Sequence, residues 1–285
     1  MNRAQGDTCG VNSRYAFAMS NFQDEVPPPL YVPPPSEASP KEVIALSWSA
    51  PPRWLGLGWR DLMASPGVSL FYGLAFWGMA LLLGVVFRTQ TEYTMMMASG
   101  CLLLGPFLAM GLYEVSRRRE LGLPADFASS LTCWRAHLRS MGLLVGVLIV
   151  LELLWGRASL VVIAVFFNTG LPSSVGAAQA VFNPDNWEFV LVYTLVGGAF
   201  AALVFALSVV SIPMILDRDT DAITAAIGSI EVVVTHPGVM LLWGALITAL
   251  VAVALLLPWA VGLLLVGPLL GHATWHAYRG SVRWL

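Results

Sequence analysis

Apolar positions in this chain do not alternate with polar ones; they accumulate in long runs separated by short charged segments. Runs at 68–87, 93–113, 141–167, 189–212 and 238–271 each reach the ~20 residues that carry a helix across ~30 Å of hydrocarbon. The last run is too long for one crossing, since at ~1.5 Å per residue it would extend ~50 Å. Pro258-Trp259 divides it into 238–257 and 259–278, because proline lacks the N–H that an interior helical position needs and tryptophan favours the membrane–water interface. The pattern predicts an all-α polytopic membrane protein with six transmembrane helices in three hairpins.

A segment of different periodicity precedes each hairpin, at 54–63, 126–139 and 221–234. In the third, Ile223, Ile227, Ile230 and Val234 recur at three- and four-residue spacing, an apolar stripe suited to the headgroup layer. Asp126 and Asp221 stand at expected helix starts, where a carboxylate complements the dipole. The strings before the first and fifth spans agree as PGVxL, an apolar residue, an aromatic and Gly (66–73 and 237–244). Gly105-Pro106 and Gly267-Pro268 each precede an arginine, Arg117 and Arg279, by the same spacing. The expected unit is an interfacial amphipathic helix followed by a hairpin, repeated at 53–118, 126–218 and 221–283. Pro106, Pro213 and Pro268 are expected helix kinks near the same ends of spans two, four and six.

Composition agrees with this reading. The 285 residues are 57% hydrophobic and only 11% charged, with mean hydropathy +0.73, whereas a soluble domain carries about 25% charged residues. The formal net charge of −2 gives no basic stripe for nucleic acid. Of the 15 Lys and Arg residues, Arg88 falls in an expected outer loop and Arg157 inside the third span. All the others fall on one side if the chain starts in the cytoplasm, as the positive-inside rule requires. Both termini are therefore expected in the cytoplasm.

Residues 1–50 are expected to be a disordered proline-rich tail, and 51–285 the membrane domain. Pro27-Pro28-Pro29 and Pro33-Pro34-Pro35 favour an extended polyproline rod, read as a spacer or as a docking site for an aromatic groove. The tail lacks the apolar core of a signal peptide, so the first span is expected to direct insertion.

Several strings resemble an uncharacterised family of bacterial integral membrane proteins, the domain of unknown function 2189. They are 105–114 with 116–120, Ile212-Pro213-Met214 with Asp217-Arg218, and the closing string 271–279. The similarity is expected to extend over residues 50–285. It implies a multi-span protein of the bacterial inner membrane, with no assigned reaction and no catalytic residues to transfer.

Candidate chemistry is sparse. Linear motifs for phosphate loops, zinc proteases and serine hydrolases are absent, and Cys9, Cys101 and Cys133 form neither a CxxC pair nor a disulfide framework. Glu152 and Arg157 lie inside the third span, where ionisable groups are costly. They are read either as an intramembrane polar site or as a protonated, hydrogen-bonded acid beside a snorkelling arginine. His272 and His276 share a helix face with Trp275 and Tyr278 beside them. They are read as half of a metal site, completed by His137, His236 or Glu114, or as an interfacial anchor.

The expected function is non-catalytic: an accessory, assembly or scaffold component that binds membrane lipids, protein partners or its own copies, and needs no cofactor. The alternative is a transporter or channel for a small solute that uses Glu152.

Overall fold

The computed structural model describes residues 41–89, 93–167 and 183–284. The proline-rich strings and most of the expected outer loop before Trp187 lie outside them. Residues 41–49, expected in the tail, belong to the folded body: β1 (Lys41–Val43) pairs antiparallel with β2 (Val282–Trp284), and Ile44 donates a backbone hydrogen bond to Ser281.

Helix α1 (Ala50–Ala64) starts at consecutive prolines, which suit a first turn because its N–H groups have no intrahelical acceptor. It stops at Ser65, and α2 (Pro66–Thr89) begins at once with another proline. Helix α3 (Thr94–Glu120) runs unbroken through Pro106. The middle interfacial segment, expected as one helix, is broken. It comprises the short α4 (Phe127–Thr132), a 3₁₀ turn at Cys133–Arg135, and the opening of α5 (Leu138–Phe166).

Helix α6 (Trp187–Ser208) ends before Val209-Val210, and a separate α7 (Ser211–Arg218) follows. Pro213 is the third residue of α7, and the interruption before it includes Val209, four residues upstream, whose carbonyl a proline at 213 cannot bond. Asp219, in the left-handed region at φ 51°, closes α7. Next come α8 (Ala222–Thr235) and α9 (Pro237–Leu256), separated only by His236.

The break expected at Pro258-Trp259 is present. Trp259 and Ala260 take φ of 59° and 55°, turning the chain within a 3₁₀ segment before α10 (Leu263–Ser281). Gly262 permits the turn, because a Cβ there would lie 2.6 Å from Ala254 Cα. Pro268 lies inside α10.

Four stretches are long and apolar enough to cross a membrane among the described residues: Pro66–Thr89, Leu138–Phe166, Pro184–Arg218 and Pro237–Leu256. Helices α3 and α10, the second and sixth crossings of the six-span reading, are not among them. The far half of α10 carries His272, His276 and Arg279.

Helix α10 is the hub, packing most extensively on α1, then on α2 and α3. Trp275, Tyr278 and Ala273 join a core with Met110, Met141, Met214, Met240 and Trp243, and Trp54 meets Trp243 edge-on at 5.5 Å. On α8, Ala222, Ala225, Gly228, Ser229 and Val232 face inward, leaving Ile223, Ile227, Ile230 and Val234 exposed.

A buried polar cluster as candidate functional site

Four helices deliver polar side chains to one point in the apolar body. From the last turns of α1 comes Asp61, 7% exposed; α2 supplies Ser69, 2% exposed; α3 supplies Ser116 and α10 His272, both fully buried. The Asp61 carboxylate receives Arg119 Nε at 3.0 Å on one oxygen and His276 Nε2 at 2.8 Å on the other. Burial alone would raise its pKa, but the bond from His276, the nearby Ser116 hydroxyl and the Arg119 guanidinium together hold it below its ordinary 3.8. An ionised carboxylate only accepts hydrogen bonds, so these groups all donate toward it.

Both ring nitrogens of His272 are used, Nδ1 lying 2.8 Å from Ser116 Oγ and Nε2 3.0 Å from Ser69 Oγ. Ser116 faces the Asp61 carboxylate, whose charge draws the hydroxyl proton toward itself. In the tautomer that carries its proton on Nδ1, His272 donates to Ser116 and its bare Nε2 accepts from the Ser69 hydroxyl.

A second acidic centre lies beside the first. Asp217 accepts the Tyr278 hydroxyl at 2.7 Å and is approached by Arg117 at 3.4 Å, Arg218 at 3.4 Å and Arg279 at 3.9 Å. Glu120 receives Trp275 Nε1 at 3.0 Å and Arg279 Nη2 at 2.8 Å. Glu114 receives Arg117 and Arg118, and Trp284 donates to the Tyr278 oxygen at 2.9 Å. Asp217 and Glu120 thereby cross-link the ends of α3, α7 and α10, and Trp284 adds β2 through the Tyr278 hydroxyl. Buried ionic groups of this kind need such partners, since a lone charge there is strongly disfavoured.

The structure therefore unites His272, His276, Trp275 and Tyr278, but not as a surface anchor. Trp275 is 1% and Tyr278 0% exposed, because α10 runs through the middle of its neighbours. Two of the groups expected to complete a metal site have other engagements: His137 Nδ1 is 2.8 Å from Asp219 and Glu114 holds two arginines. His236 lies at the joint between α8 and α9, its buried Nδ1 without a partner among the described residues. Among the described residues, no three His, Cys, Asp or Glu side chains group as metal ligands would.

Glu152 is half-buried and Arg157 exposed on α5, and neither forms a hydrogen bond or ion pair through its side chain with the described residues. Burial, aided by the Glu114 charge, pushes the Cys133 thiol up to about 12, far from the reactive thiolate range.

Sequence reasoning missed Asp61, Ser69, Ser116, Arg119, Glu120 and Asp217 as members of one cluster. Their partners are distant in the chain, so no local spacing could reveal them. The available signal was Asp61, an acid on a helix whose inward face is otherwise Trp54, Gly58 and Leu62.

A helical body with four membrane-length apolar stretches among its described residues is an all-α integral membrane protein. Residues 94–217 match the family described as predicted integral membrane protein, domain of unknown function 2189. The match is narrower than the expected 50–285 and leaves out the closing string 271–279. No curated protein and no solved structure matches the chain.

Proposed function

We propose that this is a six-span protein of a bacterial inner membrane with both termini in the cytoplasm. In this reading it acts as an accessory, assembly or scaffold component that binds anionic lipids, and through them membrane partners, along the outward face of α1. The observation carrying this reading is that face itself. Arg53 and Arg60, two helical turns apart, are exposed and make no ion pair with the described residues, while Trp59 and Met63 beside them are 43% and 50% exposed.

At 15 and 14 residues, α1 and α8 span only ~20 Å, too short to cross the hydrocarbon. Their outward apolar residues suit the headgroup boundary, where arginine attracts anionic lipid. The bacterial location rests on the family resemblance, and the six-span count adds α3 and α10 to the four long apolar stretches.

Native mass spectrometry of protein released from vesicles of mixed zwitterionic and anionic phospholipid tests the lipid reading. Retained anionic lipid should fall several-fold in an Arg53→Glu, Arg60→Glu variant that remains folded. Equal retention by that variant would overturn it.

A further inference from the structure

We propose that Ser69 is a nucleophile, activated by His272, that attacks the acyl carbonyl of an ester lipid whose chain enters an apolar pocket between α1, α2 and α10. The inference does not rest on lipid binding by α1, and it adds a catalytic reading to the role proposed above.

Three observations meet at Ser69. Its Oγ lies 3.0 Å from His272 Nε2, within the range for a nucleophile and its base. That base is oriented through its other nitrogen, 2.8 Å from Ser116 Oγ, with the ionised Asp61 beyond. The reaction requires the Nδ1-protonated tautomer, in which Nε2 accepts the Ser69 proton and the Ser69 oxygen lone pairs are free. Finally, Ser69 borders a pocket of about 240 Å³ whose other walls include Leu62, Leu70, Leu264, Leu265 and Pro268. The serine supplies the only hydroxyl in that lining, and everything around it suits a hydrocarbon chain.

The same constellation of nucleophile, base and orienting acid recurs on unrelated folds and is recognised by geometry rather than sequence order. Here its members come from residues 61, 69, 116 and 272, so no linear motif announces it. A purely structural histidine would need only partners for its two nitrogens. The additional feature here is that one partner, Ser69, borders an apolar pocket. Ser69 also stands in the first turn of α2, near leading N–H groups that have no acceptor in their own helix and at the positive end of its dipole.

In the reaction, Ser69 Oγ bonds to the acyl carbon as its proton passes to His272 Nε2. The ester C–O bond then breaks, and the departing alcohol takes that proton. Water attacks the acyl-serine and gives a proton to His272, which returns it to Ser69 as the fatty acid leaves. Ester and water become acid and alcohol, with no other reactant.

A long-chain alkyl fluorophosphonate tests this on the purified full chain in lipid vesicles, since Ser69 Oγ would displace fluoride and retain the phosphonyl group. Intact-mass and peptide analysis should find one adduct, on Ser69, absent from Ser69→Ala. The labelling rate in His272→Gln should fall at least ~100-fold, the usual scale of general-base assistance. Circular dichroism and gel filtration confirm that both variants fold. If His272→Gln fails to fold, Ser116→Ala, which removes only the orienting hydroxyl, should still slow labelling. Folded wild-type protein that gains no adduct on Ser69, or labelling that is equally fast without His272 or Ser116, would overturn the proposal.

Discussion

Ser65 and His236 adopt nearly the same backbone angles, φ −132° and ψ 55° for the first, φ −128° and ψ 57° for the second. Each ends a short helix and is followed by Pro-Gly-Val opening a long apolar one. The residue before proline is driven away from helical angles, and proline suits the first helical position, so the two joints follow from the same local chemistry. The related arginines further along, Arg117 and Arg279, both approach Asp217. The repeated strings therefore end in a shared ionic centre.

Within α2, glycines at two positions have opposite duties. A Cβ on Gly73 would strike the Leu264 carbonyl of α10, whereas one on Gly78 meets nothing within 4 Å. Gly73→Ala should lower the thermal midpoint in detergent, at roughly 1–3 kcal/mol for a forced backbone shift. Gly78→Ala should leave it unchanged or raise it slightly, through better helix propensity. Equal midpoints for the two variants would contradict the close packing of α2 on α10.

The Asp61 carboxyl titrates below its ordinary 3.8 in the folded protein. A depressed folded pKa contributes stability that is present above the ordinary value and lost as pH falls through the folded one. Asp61→Asn should therefore cost about 3–5 kcal/mol near neutrality, as for breaking a buried pair. The gap to wild type should narrow as the pH falls below ~4. Denaturation midpoints measured from pH 7 to pH 3 provide the comparison, and a gap independent of pH would show that Asp61 is not the ionised partner of Arg119 and His276.

What could be read from sequence was whatever a single helix determines alone. The turn at Pro258-Trp259, the outward stripe from Ile223 to Val234 and the Pro-Gly-Val joints each depend on neighbours within a few residues. The interruption at Val209-Val210 begins four residues before Pro213, where a proline removes the bond to the preceding turn. By contrast, 41–49 looked like tail until β2 supplied its partner. The site was half legible: the turn spacing of His272 and His276 placed them on one face. Their partners Ser69 and Asp61 come from other helices, and only tertiary packing brings them within hydrogen-bond reach.

Asp221 and Asp126 look equivalent in sequence but cap differently. Asp221 accepts from the N–H groups of Ile223 and Thr224, both at 3.0 Å. Asp126 instead bonds Arg118 at 3.0 Å and the Ser129 hydroxyl. Asp221→Ala should destabilise by about 1 kcal/mol, the usual value of a lost N-cap. Asp126→Ala in an Arg118→Ala background should lose less, since it gives up no backbone cap. Chemical denaturation of the four proteins measures both differences, and equal losses would contradict the distinction.

Topology is the remaining test of the six-span proposal. Four crossings and six both leave the termini on one side of the membrane, but only with α3 and α10 also crossing does the 168–186 loop lie opposite the termini with Arg117 to Arg119 on their side. An even count puts both termini on one side, and the basic residues around Arg53, Arg117 to Arg119 and Arg279 assign that side to the cytoplasm. A reporter fused after Leu285 should then register cytoplasm, and one inserted between 168 and 186 should register the exterior. Were α10 to lie along the membrane instead of crossing it, the C-terminal fusion would move to the exterior, provided α3 crosses. Both reporters on the same side would end the six-span model; both on the exterior would remove α10 from the count, and both in the cytoplasm would remove α3 and α10 together.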